Sequence, residues 1–222
     1  MISDFTKLPD PGVEFRVDQN DKVSHIATAE SVTVMSPVMV CGFPRLNRDQ
    51  VEQDKMRGMK VNNFSIDITM KGAQEHQTNF RAYMDEWDKR LLDLIVKYPH
   101  LIGTGKGREV IEDKMKPAFR PRANYKTGVT YPDAMSCRSG LHIDQFEGVP
   151  VVDVDNNMHL EPLKYNDLVR VVLSYNGPYV IRGSMFGNSW KLAAVQFVGK
   201  SNEAPAQVPF FDATDMSQFP AL

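Results

Sequence analysis

The densest concentration of chemistry-bearing side chains runs from Lys116 to Tyr131, KPAFRPRANYKTGVTY. There Lys116, Arg120, Arg122 and Lys126 alternate with Phe119, Tyr125 and Tyr131, and no carboxylate occurs until Asp133. Cations at such spacing neutralise phosphates, and the flat rings between them offer faces on which bases stack. Together they are the ingredients of single-strand nucleic-acid binding. Pro117, Pro121 and Pro132 punctuate the run, so it is expected to lack regular structure. A solvated loop fits the same residues, because exposed cations need no ligand.

Other motifs fail on their own spacing. Gly103-Thr104-Gly105-Lys106-Gly107 suggests a phosphate loop, but the nucleotide-binding form needs glycine where His100 stands and Ser or Thr where Gly107 stands. A backbone-amide loop touching a phosphate chain is the reading left to it. Asp153-Val154-Asp155-Asn156-Asn157 opens like a calcium loop, yet Met158 takes the glycine position and Lys164 that of the bidentate glutamate, so a hairpin turn is expected. His25, His76, His100, His142 and His159 show no metal spacing, and neither GxSxG nor HExxH occurs. Cys41 and Cys137 lie far apart with no CxxC, which points to buried free thiols. No catalytic residue, metal or cofactor is expected, and an enzyme assembled from scattered carboxylates is the least favoured class.

The chain has 222 residues, 42% hydrophobic and 24% charged, with a formal charge of -2. These values suit one folded domain or two small ones and exclude fibres and wholesale disorder. A polyanion partner would need a local basic patch. No stretch approaches the ~20 apolar residues of a membrane helix. The start, MISDFTKLPDPG, lacks a signal peptide's apolar core, so an intracellular protein is expected.

The elements that must position the basic run read as follows. Residues 31–43, SVTVMSPVMVCGF, form a strand broken near Pro37. Phe64, Ile66, Ile68 and Met70 alternate with Ser65, Asp67 and Thr69, as a half-buried strand requires. Between them, residues 44–62 form a charged loop with five basic and three acidic residues. Phe80, Met84, Trp87, Leu91, Leu94 or Ile95 and Tyr98 recur at helical steps from about Glu75 until Pro99 stops them. That stripe packs on a sheet, which makes Trp87 structural. A short helix is expected around 108–115.

Strands are then expected over 134–143, 149–154, 168–175, 179–182 and 190–198, joined as antiparallel hairpins through turn residues such as Asn176-Gly177-Pro178. In the first of these, Met135, Cys137, Leu141 and Ile143 share the core face, and Ser136, Arg138 and His142 the other. Val169, Val171 and Leu173 alternate with Arg170 and Ser174, and Arg182 flanks Ile181, so several strands can present arginine away from the core. The fold class expected is mainly β with one long helix: a small barrel or curled antiparallel sheet with an amphipathic helix packed on it. Three regions are expected: an N-terminal arm over 1–30, the barrel over 31–200, and a tail over 201–222. The tail carries Glu203, Asp212 and Asp215, no Lys or Arg, and Phe210, Phe211 and Phe219. It reads either as a partner-docking segment or as a frayed terminus.

One layout of segments stands out: FSIDITM, a long amphipathic helix, a basic-aromatic connector into YPDAMSCRSG, a DVDNN hairpin, LVRVVLSYNGPYVIRG and GNSWKLAAVQFVGK. Over residues 31 to 200 this order resembles the single-stranded DNA-binding proteins of T-seven-like phages and their relatives in large DNA viruses. The resemblance implies an oligonucleotide/oligosaccharide-binding barrel (OB-fold) with a long helix inserted between strands. It implies a protein that coats exposed single-stranded DNA without marked sequence preference in replication, recombination and repair inside the infected host cell. An acidic C-terminal tail would make dimer and polymerase or helicase contacts. The resemblance places the groove at Lys116, Arg120, Arg122, Tyr125 and Arg138, with Tyr175, Tyr179, Arg182, Trp190 and Lys191 near the closing hairpin; a core role also fits these last, Trp190 above all. The tail departs from the family pattern, being short, mildly acidic and ended by Phe219-Pro220-Ala221-Leu222. The alternative is a viral structural or protein-interaction module without nucleic-acid binding.

Overall fold

In a computed structural model of the chain, the residues described are 1–27, 32–70, 74–103, 107–123 and 130–200, without the side chains of residues 26, 27, 122, 123, 130 and 131. Five strands close a barrel. β4 (Met39–Cys41) pairs antiparallel with β5 (Asn63–Thr69), and β5 with β7 (Thr130–His142). β7 then lies parallel to β10 (Met185–Lys200), β10 pairs antiparallel with β9 (Asp167–Ile181), and β9 returns to β4. Closure in this order, with one parallel pair, is the OB-fold arrangement. The fold is mainly β with one long helix, as the sequence predicts, and the β7–β10 pair is the departure from an all-antiparallel meander. Its physical origin is the crossover between β7 and β9, whose two-residue strand β8 (Val151–Val152) pairs parallel with β10 on the edge that β7 also occupies, opposite β9.

The expected strand over 31–43 is split at Ser36-Pro37 into β3 (Thr33–Met35) and β4, both pairing with β9. Ser36 fills the break, its hydroxyl accepting from Val171 N–H at 3.0 Å. The Asn176-Gly177-Pro178 segment is not a turn. β9 runs through it with a bulge, Trp190 pairing with Tyr175 and Ser189 with Gly177, and the chain reverses at Arg182–Ser184 instead. Gly177 takes φ +110°, a backbone angle open to glycine, which lets the strand continue through the bulge.

The long helix α2 (Glu75–Lys97) buries Phe80, Tyr83, Met84, Trp87, Leu91 and Ile95 against the barrel, following the three- and four-residue spacing. Trp87 is fully buried and meets Tyr175 at 4.3 Å and Trp190 at 5.0 Å between ring centroids. Residues 1–27 pack on the barrel and its helix. β1 (Val13–Val17) and β2 (Val23–Ala27) form a hairpin whose Phe15 packs on Trp87, while Phe5 packs on Phe80. Ile2 bridges to Val34, covering the β3 edge.

Two short helices complete the fold. α1 (Arg48–Met56) lies within the charged loop and is capped by Asn47, whose side chain accepts from Gln50 N–H at 3.0 Å. α3 (Arg108–Glu112) falls inside the segment expected to be helical. Among the described residues, no helix is long and apolar enough to cross a membrane.

Candidate functional site

The basic connector is regular in its described first part. Phe119–Ala123 forms β6, paired antiparallel with β7, with a register shift between Arg120 and Arg122. Pro121 stands at that shift and β6 lies off the closed ring at the sheet margin, which is where a strand tolerates a proline. The connector lines one side of a groove of about 1160 Å³. Its floor is the outer face of β5 and β7, with Asp67, Ser136 and Arg138. The opposite wall is the loop between β4 and β5, with Phe43, Arg45, Arg57 and Met59. Lys116, Arg120 and Pro121 come from the connector and β6, and Tyr179, Asn188, Trp190 and Lys191 from the β9–β10 hairpin.

Charge gathers here in a chain that is slightly acidic overall. Among the described residues, six cations, Arg45, Arg57, Lys116, Arg120, Arg138 and Lys191, line the groove against two carboxylates, Asp54 and Asp67. Asp54 pairs with Arg45 and, at 3.5 Å, with Arg57. Lys116, Arg120, Arg138 and Lys191 make no carboxylate ion pair among the described residues. The Arg120 Nε donates to Pro117 O at 2.9 Å, which holds its stem along the connector. Lys191 pairs in register with Arg138 across the parallel ladder, setting two cations side by side. The Lys191 stem crosses Gly140, where an added Cβ would stand 3.3 Å from it.

A hydrogen-bonded chain from α2 joins the connector to the hairpin. Buried Asp88 accepts from Ala118 N–H at 2.7 Å and from the Asn188 amide at 2.9 Å. Tyr175 Oη donates to Asn188 Oδ1 at 2.7 Å, which turns the Asn188 amide nitrogen toward Asp88. Burial lifts the Asp88 carboxyl to about 6 against the pull of its two hydrogen bonds. The Tyr179 phenol is also raised by burial, with Arg120 beside it acting in the other direction. Gly187 permits the close approach of these parts: a Cβ there would lie 2.8 Å from both Lys116 O and Tyr179 Oη.

The sequence-predicted residues divide clearly. Lys116, Arg120, Arg138, Tyr179, Trp190 and Lys191 line the groove together. Trp190 is only 8% exposed, so it presents an edge of the core and not a free ring. Phe119 is buried against Phe80 at 6.0 Å, and Tyr175 packs on Trp87 and Trp190; both act from beneath the groove. Arg182 lies apart, beside Gly103 at the hairpin tip. Arg170, expected on an open face, is buried at 6% exposure and bonds to Gln196, because the outer face of β9 and β10 is covered as well. Arg122 and Tyr131 belong to β6 and β7 by backbone, while Tyr125 and Lys126 lie outside the described residues.

Sequence reasoning missed Phe43, Arg45, Arg57 and Met59 as site residues, although the cation excess over 44–62 was a signal for the two arginines. It also missed Asp88, which no spacing marks. The Asp153 turn is the hairpin expected, its carboxylate accepting from Asp155 and Asn157 N–H at 2.9 Å each. No cluster of metal-binding side chains occurs among the described residues.

No protein-family model matches the chain. No curated protein matches it either. Phage single-stranded DNA-binding proteins are among the solved structures to which it is similar. With gp2.5, a single-stranded DNA-binding protein encoded by bacteriophage T7, the TM-score is 0.47 at 14% identity, over 81% of this chain and 98% of that chain. The single-stranded DNA-binding protein from bacteriophage Enc34 gives 0.45 at 11% identity, over 92% and 98%. The same Enc34 protein in complex with single-stranded DNA gives 0.44 at 13%, over 82% and 92%.

Proposed function

We propose that the chain binds single-stranded DNA in the groove between the β4–β5 loop and the β9–β10 hairpin, and that it does so without catalysis. The observation that carries this is the convergence of six cations, among the described residues, from four separate segments on one groove bordered by the rings of Phe43 and Tyr179. Cations along a groove track phosphates, and ring faces take bases only where those are unpaired, which favours a single strand over a duplex. Stacking accepts every base, so binding is weakly dependent on sequence. The role that follows is coating of strands exposed in replication, recombination and repair of a phage or viral genome inside the infected cell.

The segment 201–222 lies outside the described residues. Its proposed role rests on its composition: an acidic, phenylalanine-bearing tail competes with DNA for the groove and recruits replication proteins such as a polymerase or helicase, and it supports a homodimer. Truncation after Lys200 is expected to tighten DNA binding and abolish partner binding. Unchanged values for both retire that role.

The experiment for the function is binding to a labelled single strand of ~40 nucleotides, longer than several barrel site sizes, and to the matching duplex across a salt series. Four cations without carboxylate partners among the described residues give a slope of roughly -3 in log affinity against log salt, with strong preference for the single strand and the strand recovered intact. Absence of binding at low salt, or equal affinity for the duplex, overturns the assignment.

A further inference from the structure

Beyond the rim of the groove lies an aromatic pair that the core does not need. Extending the β4–β9 register beyond Val40 opposite Leu168 places Phe43 opposite Tyr165. The hydrogen bond from Asn166 N–H to Cys41 O at 2.9 Å holds the two chains together there. The rings stand 5.6 Å apart at 41°. Phe43 is 62% exposed and Tyr165 59%, whereas Phe5, Phe15, Phe64, Phe80 and Phe186 are all buried. Two large rings held together in water give up most of the burial that stabilises such side chains elsewhere. Phe43 also lines the cationic groove, so the pair continues the groove outward past Arg45.

We propose that Phe43 and Tyr165 form a stacking platform for unpaired nucleobases where the strand passes out of the cationic groove. This rests on the single-strand reading of the groove and extends it. The groove cations hold the phosphates of the emerging strand, while the ring pair takes its first one or two bases. The platform draws through Tyr165 on the segment before β9, from which no described residue lines the groove itself, so it lengthens the footprint without adding charge.

The test measures single-strand affinity for Phe43→Ala, Tyr165→Ala and the double variant, with Phe43→Tyr as the variant that keeps a ring. Loss of a base stack lowers affinity roughly five- to a hundred-fold. The salt slope stays that of the unaltered protein because no cation is removed, and Phe43→Tyr stays near it in affinity. An abasic nucleotide moved along the oligonucleotide is expected to weaken the unaltered protein at one end of its footprint and leave the double variant unaffected there. Unaltered affinity in the double variant, or a changed salt slope with no abasic effect, overturns the platform and leaves the groove reading intact. If the unaltered protein binds no single strand, both fall together. Capture of an apolar peptide by the ring pair, with single-strand affinity independent of it, assigns the surface to a protein partner and overturns the platform.

Discussion

Asp88 offers the most direct test of how the groove is held. The residue is 5% exposed, and burial lifts its carboxyl from the ordinary 3.8 to about 6, with Asp85 adding to the rise and hydrogen bonds from Ala118 and Asn188 opposing it. A raised pKa means that the folded chain holds this proton more tightly than the unfolded chain does. Stability from this group is therefore highest below about pH 4, and it falls as pH rises through the folded value near 6. At 1.36 kcal/mol per unit, the shift corresponds to a cost of about 3 kcal/mol above pH 6. Asp88→Asn removes the titration, but its single carbonyl can serve only one of the two donors, a mismatch of roughly 1–3 kcal/mol. Near pH 7 the relief and the mismatch offset each other to within about 2 kcal/mol. On descending to pH 4, where the unfolded carboxyl is itself only partly protonated, the unaltered protein gains about 2 kcal/mol on the variant, which for a chain of this size is a relative rise of about 5–10 °C in Tm. Thermal unfolding of both proteins from pH 4 to 8 reads this difference, and carboxylates common to both cancel. A flat difference curve refutes the assignment of a buried, proton-holding Asp88.

Arg138→Ala with Lys191→Ala should reduce the salt slope by roughly 1.4, as two fewer phosphate contacts on a single strand require. Arg182→Ala, remote from the groove, should leave slope and affinity as they are; an equal effect from Arg182 would displace the site toward the hairpin tip. Gly187→Ala forces a Cβ within 2.8 Å of the Lys116 carbonyl oxygen. It should cost about 1–3 kcal/mol in a urea titration, and an unshifted midpoint contradicts the close approach. Burial pushes the Cys41 thiol up to about 12 and Cys137 higher still. A thiol reagent at pH 8 should leave the native protein unmodified and label both cysteines in denaturant; labelling of either in the native state shows that its strand opens.

Periodic features of the sequence translated directly into structure. α2 begins at Glu75 as expected and ends at Lys97, because its stripe has only one face to bury and Pro99 ends it. The alternation from Met135 to His142 placed Arg138 outward and Cys137 inward as it stands. Turn chemistry was a poorer guide: Asn176-Gly177 has the composition of a hairpin turn, yet pairing of β9 with β10 on both sides absorbs it as a bulge. Pro121 likewise did not prevent β6, since a margin strand needs its N–H groups on one side only. Arg170 shows the limit of face arguments, because alternation tells which side a residue takes and not whether that side is covered. Phe43 became a site residue only through barrel closure, a long-range fact that no local spacing encodes.

The groove's form is tied to the core at one turn of α2. Trp87 packs beneath Tyr175 and Trp190, and the next residue, Asp88, bonds to the connector and the hairpin. Neighbouring positions on a helix point about 100° apart, so one turn can fill the barrel and also reach both segments of the wall. Tyr175 closes the arrangement from below through Asn188. Cations on Lys116, Arg120 and Lys191 are thereby carried on backbone fixed by the fold itself. Under the proposed single-strand reading less ordering would remain to be done on binding, so the electrostatic gain would be opposed mainly by the immobilisation of long side chains and of the strand itself. A disordered basic loop with the same charge would pay more and bind more weakly. Loosening Asp88 should therefore weaken single-strand affinity while leaving the number of phosphate contacts, and with it the salt slope, nearly constant.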